Sequence, residues 1–124
     1  AAQETRLALK DELDGLDLAT LSRLDEPAFR TLFAGTPVKR TGRDRFLRNV
    51  LIAIGNSGRP KLIDSALPHL ADPSPLVRAM AVWALGRLDA ERAKVLATTA
   101  LRDETDPQVR AEWRALAPQT EDAA

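Results

Sequence analysis

A short motif that recurs along the chain at a fixed distance constrains the fold more than any other feature. The run PLVRA at residues 75–79 returns 32 residues later as PQVRA at residues 107–111. A second pair, AIG at 53–55 and ALG at 84–86, has a spacing of 31 residues. Repeats of this length are typical of stacked helix pairs, since one pair alone cannot bury its apolar face. The sequence therefore predicts a short α-solenoid of antiparallel helix pairs.

The composition favours an all-α domain without thiol chemistry. Apolar residues make up 44% of the 124 residues, enough for one core, and runs of β-branched residues are scarce. Cysteine is absent, so we expect no disulfide, zinc–thiolate site or iron–sulfur cluster in this chain. No apolar run approaches the ~18 residues of a membrane span, so we expect no membrane role.

Capping and turn residues predict where the first helices begin and end. Asp17 and Asp25 are placed to cap two short helices, and Gly35 is placed to end the second. The most apolar helix is expected at residues 43–56, with one buried face, and the GNSG run at 55–58 is expected to end it. A helix over residues 60–71 should be disturbed at its second proline, and Ser74, Asp89 and Asp106 should cap the three later helices.

These limits define one helical domain over residues 17–117. A polar segment at residues 1–16 precedes it, and a frayed tail at residues 118–124 follows it. The chain begins with alanine rather than methionine, which fits a fragment or a processed form.

Basic charge is concentrated in one segment although the net charge is zero. Residues 35–61 hold seven cations against Asp44 alone, a net charge of +6. Such focusing attracts polyanions, and the planar fork of arginine suits both phosphate contacts and stacking on unpaired bases. We therefore predict an RNA-binding site, and the alternative is a solvated basic face paired with acidic segments. The candidate residues are Lys39, Arg40, Arg43, Arg45, Arg48, Asn49, Asn56, Arg59 and Lys61.

Structural roles are favoured for the other polar and aromatic residues that stand out. Asn56 alternatively caps the end of its helix, and Asp44 is spaced to pair with Arg48. An ion pair with an aspartate of the adjacent turn is expected for the repeated arginines, Arg78 and Arg110. His69 is expected in a surface or capping role, and no metal site is expected. Core packing is favoured over base stacking for the two tryptophans, Trp83 and Trp113.

The basic stretch resembles the C-terminal part of epoxyqueuosine reductase, the enzyme of the last step of queuosine synthesis in tRNA. The matching runs are FR at 29–30, GTPVKR at 35–40, GRDRFLRNV at 42–50, IAIGN at 52–56, DPS at 72–74, LVR at 76–78, Ala81 and WALGRL at 83–88. They lie within residues 17–88, whereas residues 89–117 resemble only a further HEAT-like unit. The resemblance implies that the whole solenoid is HEAT-like.

The resemblance also implies a larger, cytoplasmic enzyme. Its catalytic part and its ferredoxin-like part, with cobalamin and two [4Fe–4S] clusters, remove the epoxide oxygen from epoxyqueuosine at the wobble position of tRNA. This chain would hold no cofactor and would be inactive alone. It would grip the tRNA anticodon stem-loop and present the wobble nucleotide to the missing catalytic and ferredoxin-like domains. The alternatives are a protein–protein interaction scaffold with no nucleic-acid role and a brace for the catalytic body.

Overall fold

The computed structural model describes residues 17–117, and the segments expected at 1–16 and 118–124 lie outside the described residues. Within residues 17–117 the fold is all-α, as predicted, with no strand. The α-helices are α1 (Leu18–Ser22), α2 (Glu26–Leu32), α3 (Val38–Thr41), α4 (Arg43–Asn56), α5 (Ile63–Ala66), α6 (Pro75–Leu88), α7 (Ala90–Asp103) and α8 (Pro107–Leu116); short 3-10 helices at Pro60–Leu62 and Leu67–Ala71 flank α5.

The predicted capping residues begin their helices as expected. In each case a side-chain oxygen accepts a hydrogen bond from a backbone N–H of the first turn, at 2.9–3.4 Å, which satisfies an otherwise unpaired donor. The five caps are Asp17, Asp25, Ser74, Asp89 and Asp106. Gly35 was predicted to end α2, but α2 ends earlier, at Leu32 with Phe33 as its C-cap, and the left-handed Gly35, with a φ of 76°, lies in the turn that follows.

Two local predictions were wrong in detail. The basic loop contains a one-turn helix, α3, which breaks at Gly42 because the φ of that residue is 87°. Residues 60–71 form a short α-helix between two 3-10 segments rather than one disturbed helix. The prediction for α4 was confirmed, since the helix spans Arg43–Asn56 and the GNSG run ends it, with a left-handed backbone at Gly58, where φ is 67°.

Helices α4, α6 and α8 run parallel to one another in one layer. Gly55 and Trp83 meet near the carboxyl ends of α4 and α6, while Asn49 and Leu76 line one concavity toward their amino ends. Helix α5 and the second 3-10 helix, Leu67–Ala71, pack against α6, and α7 packs against α6 and α8, as expected for stacked helix pairs. Exposed and partly exposed side chains of α4 and α6 therefore lie side by side, and two of them, Met80 and Trp83, also pack against the core.

Two glycines explain the repeated AIG and ALG motifs. A Cβ atom on Gly55 would lie 2.5 Å from Cζ3 of Trp83, and one on Gly86 would lie 2.6 Å from Cδ2 of Leu116. Each glycine therefore lets a large side chain of the next parallel helix approach the backbone. A glycine lies against the next helix at both the α4–α6 and the α6–α8 interface, which accounts for the spacing of 31 residues.

The core consists of two apolar clusters that share α6. The first surrounds α4, where Leu47, Val50, Leu51 and Ile54 have no exposed surface. The second joins α6, α7 and α8 around Leu85 and Trp113. Burial of each large apolar side chain contributes about 1.5–3 kcal/mol, so α4 is anchored firmly along its inner face. Its outer face can therefore present polar groups from a rigid support.

Candidate nucleic-acid interface

The predicted basic residues divide into two groups at opposite ends of α4. Lys39, Arg40, Arg45, Arg48 and Asn49 lie on α3 and on the first turns of α4. Asn56 ends α4, and the two remaining cations lie at and just before the 3-10 helix Pro60–Leu62. The two ends are about 16 Å apart, at ~1.5 Å per helical residue.

Six of these cations make no ion pair within residues 17–117. Arg48 is partly exposed, and the other five are exposed. The six are Lys39, Arg40, Arg45, Arg48, Arg59 and Lys61. The alternative pairs the basic face with the acidic termini or with an acidic neighbour domain, and much of the termini, residues 1–16 and 118–124, lies outside the described residues. No carboxylate of residues 17–117 therefore neutralises these six cations through an ion pair.

Two of the arginines meet at a shallow concavity beside the amino end of α6. Its volume is about 320 Å³, and it is lined by Thr41, Arg45, Arg48, Asn49 and Leu76. The side-chain carbonyl oxygen of Asn49 accepts a long hydrogen bond of 3.4 Å from Arg48, which aligns the two side chains. The N-cap residue of α4 offers no side-chain hydrogen bond, so the N–H groups of the first turn are not capped by a side chain. The concavity thus combines two guanidinium groups, an amide and a hydroxyl.

Arg43 differs from the other predicted cations because carboxylates already hold it. Its Nη2 donates to Asp72 Oδ1 at 2.6 Å and its Nη1 to Asp72 Oδ2 at 3.2 Å, and Nη1 also donates to Asp44 at 3.0 Å. These hydrogen bonds raise the pKa of Arg43, with the bond to Asp72 the largest cause. The predicted pairing of Asp44 with Arg48 was wrong, since Asp44 pairs with Arg43. Arg43 therefore braces the interface, tying α4 to the turn before α6.

Asp72 is a buried carboxylate that sequence reasoning missed. Burial raises the pKa of Asp72, but hydrogen bonds from Arg43 and from the backbone N–H of Ser74 outweigh it and hold that pKa below its usual range. The DPS run was visible in the sequence, but its partner lies 29 residues earlier in the chain. Spacing alone could not have found that contact.

His69 was predicted in a surface or capping role; the surface alternative was wrong, whereas the capping role is confirmed, because His69 contacts the last residue of α1. The residue is 8% exposed, and its Nε2 lies 2.6 Å from the carbonyl oxygen of Ser22. Because a carbonyl only accepts, Nε2 carries the proton and donates it. Nδ1 lies 3.8 Å from Asp72. His69 therefore joins α1 to the second 3-10 helix.

The repeated arginines have the structural roles that were expected, although neither pairs with an aspartate. Arg78 holds both oxygens of Glu104 at 3.0 Å, and its Nη1 donates to the carbonyls of Asp72 and Pro73. The hydrogen bond from Arg78 holds the pKa of Glu104 below its usual range. Arg110 donates instead to the carbonyls of Glu104 and of the last turn of α7. Both arginines fasten turns between repeats.

The two tryptophans differ in exposure. Trp113 is buried in the second cluster, as expected. Trp83 packs on Gly55 but remains partly exposed, and the guanidinium of Arg87 lies 5.7 Å from the centre of its ring. The C-capping alternative for Asn56 was wrong, because Ser57 donates to the carbonyl of Ile54 and the amide of Asn56 is left exposed.

Neither a group of metal ligands nor a membrane-spanning helix is found among the described residues. Within residues 17–117 no three His, Asp or Glu side chains are grouped so that they could bind a metal ion. None of the described helices is both long and apolar enough to cross a membrane.

Comparison with known proteins now identifies the class of this fold. Residues 40–117 match the family model for HEAT repeats, and the chain therefore belongs to the HEAT repeat family. No solved structure gives a significant match.

Among curated proteins the chain is similar to epoxyqueuosine reductases, as the sequence predicted. It is 37% identical over 83 residues to that of Alicycliphilus denitrificans, covering 60% of this chain and 23% of the enzyme. It is 37% identical over 76 residues to that of Xanthomonas campestris, covering 58% and 21%. It is 32% identical over 84 residues to that of Vibrio cholerae, covering 67% and 22%. The chain thus spans less than a quarter of the length of these relatives.

Proposed function

We propose that this chain is the tRNA-binding HEAT-repeat domain of an epoxyqueuosine reductase. It grips the anticodon stem-loop and presents the wobble-position epoxyqueuosine to a catalytic part elsewhere in the polypeptide. Similarity to enzymes of that name over residues of the HEAT repeats supports the choice of tRNA. The observation that carries the RNA role is that six cations of the basic segment, four at one end of α4 and two just beyond its other end, make no ion pair within residues 17–117.

Affinity in this proposal comes from phosphate contacts at the amino end of α4. Arg45 and Arg48 reach phosphates from the concavity they share, and Lys39 and Arg40 extend the positive surface along α3. The buried inner face of α4 and the Arg43–Asp72 ion pair keep this surface in place before RNA arrives. Binding therefore costs little additional ordering of the protein.

The chemistry in this proposal lies in the rest of the enzyme. Cobalamin and two [4Fe–4S] clusters belong to the catalytic and ferredoxin-like domains, since this chain offers no cysteine to a cluster. The chain alone therefore reduces nothing. It acts in the cytoplasm, where tRNA is modified, as part of the longer polypeptide.

Titration of the chain with fluorescent tRNA at two salt concentrations tests the proposal. Each neutralised phosphate lowers log K by about 0.7–0.9 per tenfold rise in salt, so four such phosphates predict roughly a 50- to 150-fold weaker complex between about 50 and 200 mM salt. Reversing two charges in Arg45→Glu plus Arg48→Glu should weaken binding at least about 100-fold at the lower salt concentration.

The matched control makes the same charge change on α7. Arg92→Glu plus Arg102→Glu alters two exposed cations that lie outside the basic segment, and it should weaken binding less than about fivefold. No binding of tRNA by the unaltered chain, or equal losses of affinity in the two double variants, would contradict the proposal. Either result would favour a protein-interaction scaffold or a brace for the catalytic body.

A further inference from the structure

The outer sides of α4 and α6 form one surface, which we call the α4–α6 face. On each helix its residues recur at spacings of three or four, so they lie along one side. The α4 stripe is Arg45, Arg48, Asn49, Ile52 and Asn56, and the α6 stripe is Leu76, Met80, Trp83 and Arg87. Contacts at both ends join the two stripes, since Asn49 shares a concavity with Leu76 and Trp83 packs on Gly55. The face is about 16 Å long.

The chemistry of this face is cationic and apolar with no acidic residue. Three arginines and two amides surround four partly exposed apolar side chains. Of these, Ile52 and Leu76 belong to neither core cluster, so the packing of this domain does not account for them. A face that served only to attract phosphate would need no apolar strip.

Trp83 and Arg87 form a pair, which we call the Trp83–Arg87 platform, in which the indole packs on the first apolar cluster and the guanidinium lies over its ring. One side of the indole is fixed by Gly55, and the guanidinium of Arg87 lies 5.7 Å from the ring centre. Arg87 is exposed and makes no ion pair within residues 17–117. An exposed guanidinium supported by an indole is a planar group on which an unpaired base can stack.

We propose that the α4–α6 face binds a short unpaired RNA segment, with phosphates at Arg45 and Arg48 and a base stacked on the Trp83–Arg87 platform. The inference rests on the proposed RNA role and adds the class of RNA, unpaired rather than duplex. Bases inside a duplex stack on one another and do not offer their faces to a protein. An acidic peptide would satisfy the arginines but would leave the platform without a planar partner.

Fluorescence of Trp83 tests this inference directly. The chain has two tryptophans, so Trp113→Phe leaves Trp83 as the only one. A single-stranded oligoadenylate should quench its fluorescence on binding, whereas an abasic ribose-phosphate oligomer of equal length should bind without quenching. If the substitution of the buried Trp113 prevents folding, the unaltered chain serves, since Trp113 is too buried to contact RNA and its signal stays constant.

The exposed residue Arg87 gives a second measurement that leaves the core unchanged. Arg87→Gln should weaken the oligoadenylate complex about 3- to 10-fold and leave the abasic complex within about twofold, because stacking requires a base. The control Arg92→Gln, on α7, should change neither.

The outcomes separate this inference from the proposed function. Binding of tRNA without quenching by oligoadenylate, or equal effects of Arg87→Gln on both probes, would overturn the inference and leave the tRNA proposal standing. Failure to bind tRNA, oligoadenylate and the abasic probe would overturn both. Binding and quenching by oligoglutamate as strong as by oligoadenylate would assign the face to an acidic peptide instead.

Discussion

The ion pair between Arg43 and Asp72 should contribute more to stability than any exposed pair in the described domain. The Asp72 side chain is 5% exposed and that of Arg43 is 18% exposed, so the variant Asp72→Asn leaves a guanidinium without its main counter-charge. Breaking a fully buried pair from one side costs about 3–5 kcal/mol. In this variant Asp44 still contacts Arg43, and the new side-chain amide oxygen can still accept the hydrogen bond from the backbone N–H of Ser74. Because these contacts remain, we expect a smaller loss of about 2–3 kcal/mol in the free energy of unfolding.

The assay is thermal unfolding followed by circular dichroism. For a domain of this size each kcal/mol corresponds to about 4–8 °C, so Asp72→Asn should lower Tm by about 10–20 °C. The matched control is Glu26→Gln, which breaks an exposed pair with Arg30 and should lower Tm by less than about 3 °C. Equal shifts in the two variants would refute the reasoning that burial makes the first pair strong.

The pH dependence of the same pair has a definite sign. The pKa of Asp72 is lower in the folded state than in the unfolded chain. The stability that ionised Asp72 contributes is therefore complete above the ordinary aspartate pKa of about 3.9, and it is lost as the pH falls through the pKa of Asp72 in the folded state. The difference in stability between the unaltered chain and Asp72→Asn should therefore be constant from about pH 7 to pH 5 and shrink below about pH 4. A constant difference down to about pH 2 would contradict this account.

Two further substitutions test the packing between repeats. Gly55→Ala should destabilise the domain by about 1–2 kcal/mol in urea unfolding, because the new methyl group meets the rigid ring of Trp83. Gly86→Ala should be close to neutral, because its methyl group meets only the flexible end of Leu116. Equal changes in the free energy of unfolding of the two variants would contradict the role of Gly55. Arg78→Gln should lower the free energy of unfolding by about 2 kcal/mol, because it leaves Glu104 without its cation. The control Lys94→Gln, which breaks an exposed pair with Glu91, should lower it by less than about 0.5 kcal/mol. Equal losses in the two variants would count against the inter-repeat role of Arg78.

The sequence predicted the features of the fold that depend on neighbouring residues. Side-chain caps such as Asp25 and Asp89 act within three residues, and the apolar spacing of α4 is a local pattern, so both could be inferred from the residues alone. The 31-residue motif spacing also proved informative, since Gly55 and Gly86 occupy equivalent helix contacts. Local chemistry and the repeat together were sufficient for the fold class.

The parts that the sequence could not predict depend on contacts between distant residues. His69 meets Ser22 across 47 residues, and Arg43 meets Asp72 across 29, so neither pair has a signal in spacing. The candidate site was therefore predicted with Arg43 on its surface, whereas the geometry turns that residue toward a carboxylate. Which tryptophan remains partly exposed likewise depends on how α4 and α6 pack.

The most direct test of the RNA role is a map of where an anticodon stem-loop touches the domain in solution. Backbone amide shifts of the isotope-labelled chain should change in α3, in the first turns of α4 and along the α4–α6 face, while those of α7 stay unchanged. Shifts that cluster on α7 and α8, or no shifts at saturating RNA and low salt, would contradict the claim that the basic end of α4 is the binding surface.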